Sequence, residues 1–343
     1  VRPLLGAAVV LVLVLPACTG GGDAPAPRGT ASPATPTAPP TATTSARVAP
    51  VPAAAPDATP LARRFLDTWV DPDGRVVRRD VGGDTTSEGQ AAALLLAVQS
   101  DDPQLTALVW DWTAAHLQRP DGLLASRWAD GGVADAAPDA AADLASAQGL
   151  VAAGRRFADP ELAAAGARLA GAVLDGETAV TPLGRVLLAD PAAAAPWPVE
   201  PGAASPLAVQ ELAAAVPDPR WAELETGSAA VLRTLLGAAT LPPDAARVLA
   251  DGRVEAVASP GAVDVQFGSA AARVPVGSAA SCDPADVAIA AGLAPALVRT
   301  DDQVSGRYDT GGTPTVDYAQ PLAFVAAAAA AAAAGDEAAR TRL

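Results

Sequence analysis

The 343-residue chain has no lysine and no asparagine, so all 23 of its basic residues are arginine. Without asparagine there is no N-glycosylation acceptor. Two cysteines and one histidine, His116, are too few for a zinc site, which takes three or four such ligands. No metal and no cofactor is expected. With 38 acidic residues the net charge is −15. That excludes nucleic acid as a partner, because phosphates need basic counterparts. Its apolar runs, 4–15 and the alanines of 326–334, are both too short for a comfortable membrane span.

What is present begins with an apparent targeting segment. Arg2 precedes the apolar run from Leu4 to Leu15, and Pro16, Ala17 and Cys18 follow. The run suits a signal-peptide core. Leu15-Pro16-Ala17-Cys18 resembles a bacterial lipobox, which implies lipidation at Cys18 and a membrane anchor. The alternative is an ordinary secretory signal with an incidental cysteine. Residues 1–18 are therefore read as a leader, and the protein as lipid-anchored on the outer face of the cell membrane. Residues 19–60 are rich in Pro, Ala, Thr and Ser and have almost no large apolar side chain. Such a segment cannot bury enough surface to order itself and is read as a disordered spacer. With Cys18 acylated, Cys282 is left without a partner and is expected to be a buried free thiol.

Residues 61–343 carry mostly helical periodicity. Helices are expected at 61–70, 87–99, 102–118, 139–156, 160–175, 204–216, 218–237, 242–249, 283–299 and 319–334, with Pro and Gly at the joints. Residues 71–79 and 123–128 read as turn and extended chain. The alanine run suits a closely packed inner helix, since alanine is the best helix former. His116 lies among apolar helix positions beside Trp112 and reads as a structural histidine. Ten to twelve helices with short connections indicate an all-α array of hairpins, either an open solenoid or a closed ring.

The chain is organised around GGDTTSEGQ, residues 82–90. Thr85 and Glu88 have the spacing of a capping box, in which a hydroxyl caps the helix and the glutamate caps it back. A second reading comes from likeness. Ser87-Glu88-Gly89-Gln90 followed by a small-and-leucine helix resembles the proton-donor segment of glycoside hydrolase family 8, and further similar segments follow over about residues 61–335. The resemblance implies an all-α (α/α)6 barrel, decides for closure, and implies action on β-linked polysaccharides. It also implies that Glu88 protonates the leaving glycosidic oxygen.

The remaining motifs are eroded. Residues 119–128, RPDGLLASRW, keep Arg127 and Trp128, but Ser126 stands where the family commonly has a tryptophan. In the A-[ST]-D-[AG]-D motif, Asp143 takes the second aspartate's place and Ala141 falls on the functional one. Asp139 is no simple substitute, because two residues along a helix turn the side chain by about 200°. Glu200-Pro201-Gly202 stands where the family has N-P-S, and Pro242-Pro243-Asp244-Ala245 stands for PPDW. In the base motif Y-D-A-x-R-x-P, Arg273 and Pro275 remain and Ala270 replaces the aspartate. Asp264, six residues upstream, would lie about 20 Å away in extended chain.

Inverting hydrolysis needs one carboxyl group to protonate the leaving oxygen and another to activate water. This chain keeps the first and lacks the second. A helix N-terminus also favours negative charge on Glu88, whereas a donor must carry its proton. The expectation is a surface lipoprotein with an impaired glycosidase fold that binds a glycan or serves as a scaffold. The alternatives are a working endo-β-1,4-glycan hydrolase with a relocated base, and a purely structural barrel. No protein partner can be named. Sugar contacts are expected from Trp128, Arg127, Arg273, Asp143, Asp84 and Trp69. Trp69 is equally suited to core packing, and Arg127 and Arg273 equally to ion pairs with Asp143 or Asp84.

Overall fold

The computed structural model describes residues 59–299 and 303–343. The expected leader, Cys18 and almost all of the spacer lie outside the described residues. Among these residues there are eleven helices: α1 (Thr59–Trp69), α2 (Ser87–Gln99), α3 (Pro103–His116), α4 (Ala140–Phe157), α5 (Pro160–Gly176), α6 (Pro206–Ala215), α7 (Pro219–Ala238), α8 (Arg273–Ala280), α9 (Pro284–Leu297), α10 (Pro321–Ala333) and α11 (Glu337–Arg342). Aspartates cap many of them. Asp102, Asp139, Asp159, Asp218 and Asp283 each accept a backbone N–H of the first turn, and proline opens α3, α5, α7 and α9.

The helices form an (α/α)6 barrel. Even-numbered helices pack on one another in sequence, α2 on α4, α4 on α6, α6 on α8 and α8 on α10, and odd-numbered helices cover them. Small residues set the spacing. Gly154 and Gly166 bring α4 and α5 so close that a Cβ on Gly154 would lie 2.6 Å from Ala163 Cβ. Five alanines of α10 are buried, as expected for an inner helix. One core joins Leu94, Leu96, Leu144, Leu150, Leu169, Leu212 and Trp221, and a second lies between α8, α9 and α10. Among the described residues no helix is long and apolar enough to cross a membrane.

Short strands fill the connections: β1 (Thr85–Thr86), β2 (Arg127–Ala129), β3 (Gly132–Asp135), β4 (Thr178–Thr181), β5 (Gly184–Leu187), β6 (Trp197–Val199), β7 (Ala245–Val248) and β8 (Val254–Val257). They form sheets ordered β1-β2-β3, β4-β5 and β6-β7-β8, all antiparallel. The helix expected at 242–249 is corrected to β7. Ala246 and Val248 point inward and Arg247 outward, a period of two that outweighs the helix propensity of alanine once β6 and β8 flank the segment. Helix α8 was not foreseen, because Ala270 to Ala280 shows no amphipathic stripe. Cys282 is also corrected: it is exposed, not buried.

Candidate functional site

Three of the four residues in Ser87-Glu88-Gly89-Gln90 are occupied with construction. The cap of α2 is Thr86, whose hydroxyl accepts the Gly89 N–H at 3.2 Å. The expected Thr85 cap is therefore corrected by one residue. Thr85 Oγ1 instead donates to the Val76 carbonyl and accepts from Arg75 Nε. Ser87 N–H donates to the Ser126 carbonyl, fixing the helix start against the residue before β2. Gly89 leaves room for Val76, whose Cγ1 would be 3.4 Å from an added Cβ. Gln90 is buried, accepts the Val76 N–H at 2.6 Å and donates to Thr113 Oγ1 at 2.8 Å, which ties α2 to α3 and to the loop between α1 and β1.

Glu88 is the member of the four with no structural duty on its own helix. Its side chain is half-exposed and does not reach back to cap α2. It accepts a charge-assisted hydrogen bond from Arg273 Nη2, 185 positions away at the start of α8. The ion pair joins the donor segment to the segment in which Ala270 holds the expected base position. Asp244 shapes that second segment. Its Oδ1 accepts the N–H groups of Gly268 at 2.9 Å and Ala271 at 2.8 Å, and Oδ2 accepts Gln266 Nε2 at 3.3 Å. Gly202 packs from the other side, so that a Cβ there would be 2.2 Å from the Ala270 carbonyl oxygen and 3.1 Å from Arg273 Cβ. The support for position 270 is thus intact, and a methyl group stands on it.

At the second eroded position, Ala141 lies in the first turn of α4. Asp139 caps that turn, its Oδ1 accepting the N–H groups of Ala141 at 3.1 Å and Ala142 at 3.2 Å. Asp264 is exposed on the loop before Gln266.

The other residues expected to touch sugar divide differently. Asp84 is buried and accepts both Arg78 Nε at 2.7 Å and Arg127 Nε at 2.6 Å. The Arg78 hydrogen bond is the largest influence holding its carboxyl below the usual range, with burial opposing and Arg127 adding to it. Arg127 thus makes a structural ion pair with Asp84, and Arg273 pairs with neither Asp84 nor Asp143. Trp128 packs edge-on against Trp112 and His116, and His116 stacks on Trp112 with ring centroids 4.4 Å apart while its Nδ1 lies 2.9 Å from the Trp112 carbonyl. The structural reading of His116 fits this stack. Trp69 is half-buried against the main core.

Asp143 is fully buried and is corrected from a sugar contact to an interior group. Its Oδ2 accepts the Leu124 N–H at 3.2 Å, and Oδ1 has no partner. Burial raises its pKa well above the usual range, and the charge of Asp139 adds to this. Glu177, which closes α5, was not foreseen. It too is fully buried, and neither carboxylate oxygen has a partner. Burial first, then the charges of Asp143 and Asp139, push its pKa up to about 9. Nothing in the segment Leu174-Asp175-Gly176-Glu177-Thr178 marks this glutamate as interior.

Glu200 was read only as a departure from a polar motif. It is half-buried on the turn that carries Gly202. Burial raises its pKa most. Arg273 lowers it, and the charges of Asp139, Asp244 and Glu88 raise it. Glu200 therefore shares the electrostatic field of the Glu88–Arg273 pair. Among the described residues no group of three His, Cys, Asp or Glu side chains is arranged to hold a metal.

Comparison with known proteins places this geometry. Residues 53–310 match the family model of glycosyl hydrolases family 8. An endoglucanase of Xanthomonas axonopodis pv. citri is 33% identical over 187 residues, covering 51% of this chain and 49% of the relative, so the match spans about half of that relative's length. An endoglucanase structure from Klebsiella pneumoniae, a family 8 glycosyl hydrolase, superposes with a TM-score of 0.70 at 22% identity, covering 82% of this chain and 90% of that one. An endo-β-1,4-glucanase from an Achatina fulica gut metagenomic library gives 0.71 at 22% identity, covering 83% and 91%. At these identities the structural likeness establishes the fold.

Proposed function

The chain belongs to glycosyl hydrolase family 8, and from that premise we propose that it binds a β-linked polysaccharide in its cleft and hydrolyses it poorly or not at all. The observation that carries this is the Glu88–Arg273 ion pair, in a chain whose positions 141 and 270 hold alanine. The Glu88 carboxyl is engaged by the Arg273 guanidinium and would have to leave it to reach a glycosidic oxygen. With no carboxylate at 270, water activation loses about 10²–10⁴-fold, the usual worth of a positioned base. Few aromatic faces remain for sugar, since Trp112 and Trp128 are spent on packing, so affinity should be modest.

The test is a reducing-sugar assay on soluble β-glucan, xylan and chitosan. The parent chain should show little or no turnover, and Glu88→Gln should leave that trace unchanged. Replacing Ala141 and Ala270 with aspartate together should raise turnover, because Asp244 and Gly202 still shape the turn at 270. Parent turnover that Glu88→Gln abolishes would overturn the reading. Glu200 favours one competitor, a working hydrolase with a relocated base. In that case Glu200→Gln alone would remove parent turnover.

We also propose that Cys18 is lipidated and holds the domain at the outer face of the membrane. A thioether at Cys18 and a disulfide from the same sulfur to Cys282 exclude one another. Intact mass before and after reduction decides which is present.

A further inference from the structure

Arg273 has one hydrogen-bonded partner, and the turn that carries a second carboxylate, Glu200, packs against the root of its side chain. Arg273 opens α8, and Ala270, three positions earlier, offers no side-chain acceptor. Its guanidinium carries five N–H donors, and the bond to Glu88 uses one. The turn from Glu200 to Ala203, closed by the Ala203 N–H to Glu200 carbonyl bond at 3.0 Å, packs against the backbone at Ala270 and the root of the Arg273 side chain. The Glu200 carboxylate accepts no hydrogen bond among the described residues. The other acids in its field are committed: Asp244 to Gly268 and Ala271, Asp139 to the first turn of α4.

We propose that Arg273 is a latch with two acceptors, closing the cleft when bonded to Glu88 and opening it when bonded to Glu200. Glu200 is thus a positioning residue that decides whether the cleft is barred. The inference rests on the reading that the cleft takes a β-linked glycan. A sugar that reaches the Glu88 carboxyl must displace the guanidinium bonded to it, and Glu200 lets that guanidinium move without leaving a charge unpaired. Among the described residues the charges that act most on Glu200 are those of Arg273, Asp139, Asp244 and Glu88.

Two measurements on the full chain test it separately. The first needs no sugar and follows the Arg273 Nε–H signal by NMR. In Glu88→Gln the arginine should pass to Glu200, and its signal should follow pH with the ionisation of Glu200. In the Glu88→Gln, Glu200→Gln double variant that dependence should vanish. An Arg273 signal in Glu88→Gln that exchanges like a solvent-exposed arginine overturns the latch. The second is calorimetry with cellopentaose. Relative to the parent, Glu88→Gln should bind more tightly and Glu200→Gln more weakly, each by about two- to fivefold, the worth of a part-exposed ion pair. Equal affinities across the three overturn the latch. If none of them binds cellopentaose, the glycan-binding reading fails, and the NMR arm still judges the latch.

Discussion

Replacing Glu177 with glutamine should stabilise the barrel, and increasingly so as pH rises. The carboxyl group is fully buried, with its pKa pushed up to about 9 by burial and by the charges of Asp143 and Asp139. In the unfolded chain it titrates near 4.5. Between those values the unfolded state has released a proton that the folded state keeps, so stability falls as pH rises, by about 1.4 kcal/mol per unit. The favourable contribution is complete below about pH 4.5, is lost progressively, and is gone above about pH 9. From pH 4.5 to pH 7 the loss is about 3 kcal/mol, a large share of a typical folding free energy. Glutamine keeps the shape and does not titrate. Urea unfolding of parent and Glu177→Gln at pH 5, 6, 7 and 8 measures the difference. The gap should widen with pH by about one proton's slope. Parallel curves would refute the argument, since they would mean that Glu177 ionises alike in both states.

Gln90→Ala should cost about 2–4 kcal/mol in urea unfolding, because it strands the buried Val76 N–H, removes the bond to the Thr113 hydroxyl and opens a cavity. Asp84→Asn should also destabilise the chain, and its loss relative to the parent should be largest near neutral pH. Asp84's depressed pKa supplies stability above about pH 4 that fades as pH falls, and the asparagine variant should lack that acid-side slope. Gly202→Ala should disturb the 268–273 turn, where the new methyl would lie 2.2 Å from the Ala270 carbonyl oxygen; a raised amide exchange rate at Gly268 and Ala271 would report it. His116→Ala should cost about 1–3 kcal/mol by removing the ring stacked on Trp112, with a change in tryptophan fluorescence.

The helices were legible because their apolar spacing, proline openings and aspartate caps agree with the fold. The misread segment, 242–249, is short and alanine-bearing, and its strand character comes from neighbours far along the chain. In the site, Glu88 and Arg273 were each readable from their motifs. Their bond was not, because nothing in a sequence announces that two residues 185 positions apart share a hydrogen bond. Asp143 and Glu177 show the other limit. An acid in a polar-looking segment carries no periodic mark of burial, so their interior placement appears only once α4 and α5 have packed.

Asp244 fixes the backbone that presents position 270 by accepting the main-chain N–H groups of Gly268 and Ala271. The identity of the side chain at 270 is therefore decoupled from the shape of the turn. A chain built this way can exchange the group at 270 while selection for a stable barrel neither resists nor notices the change.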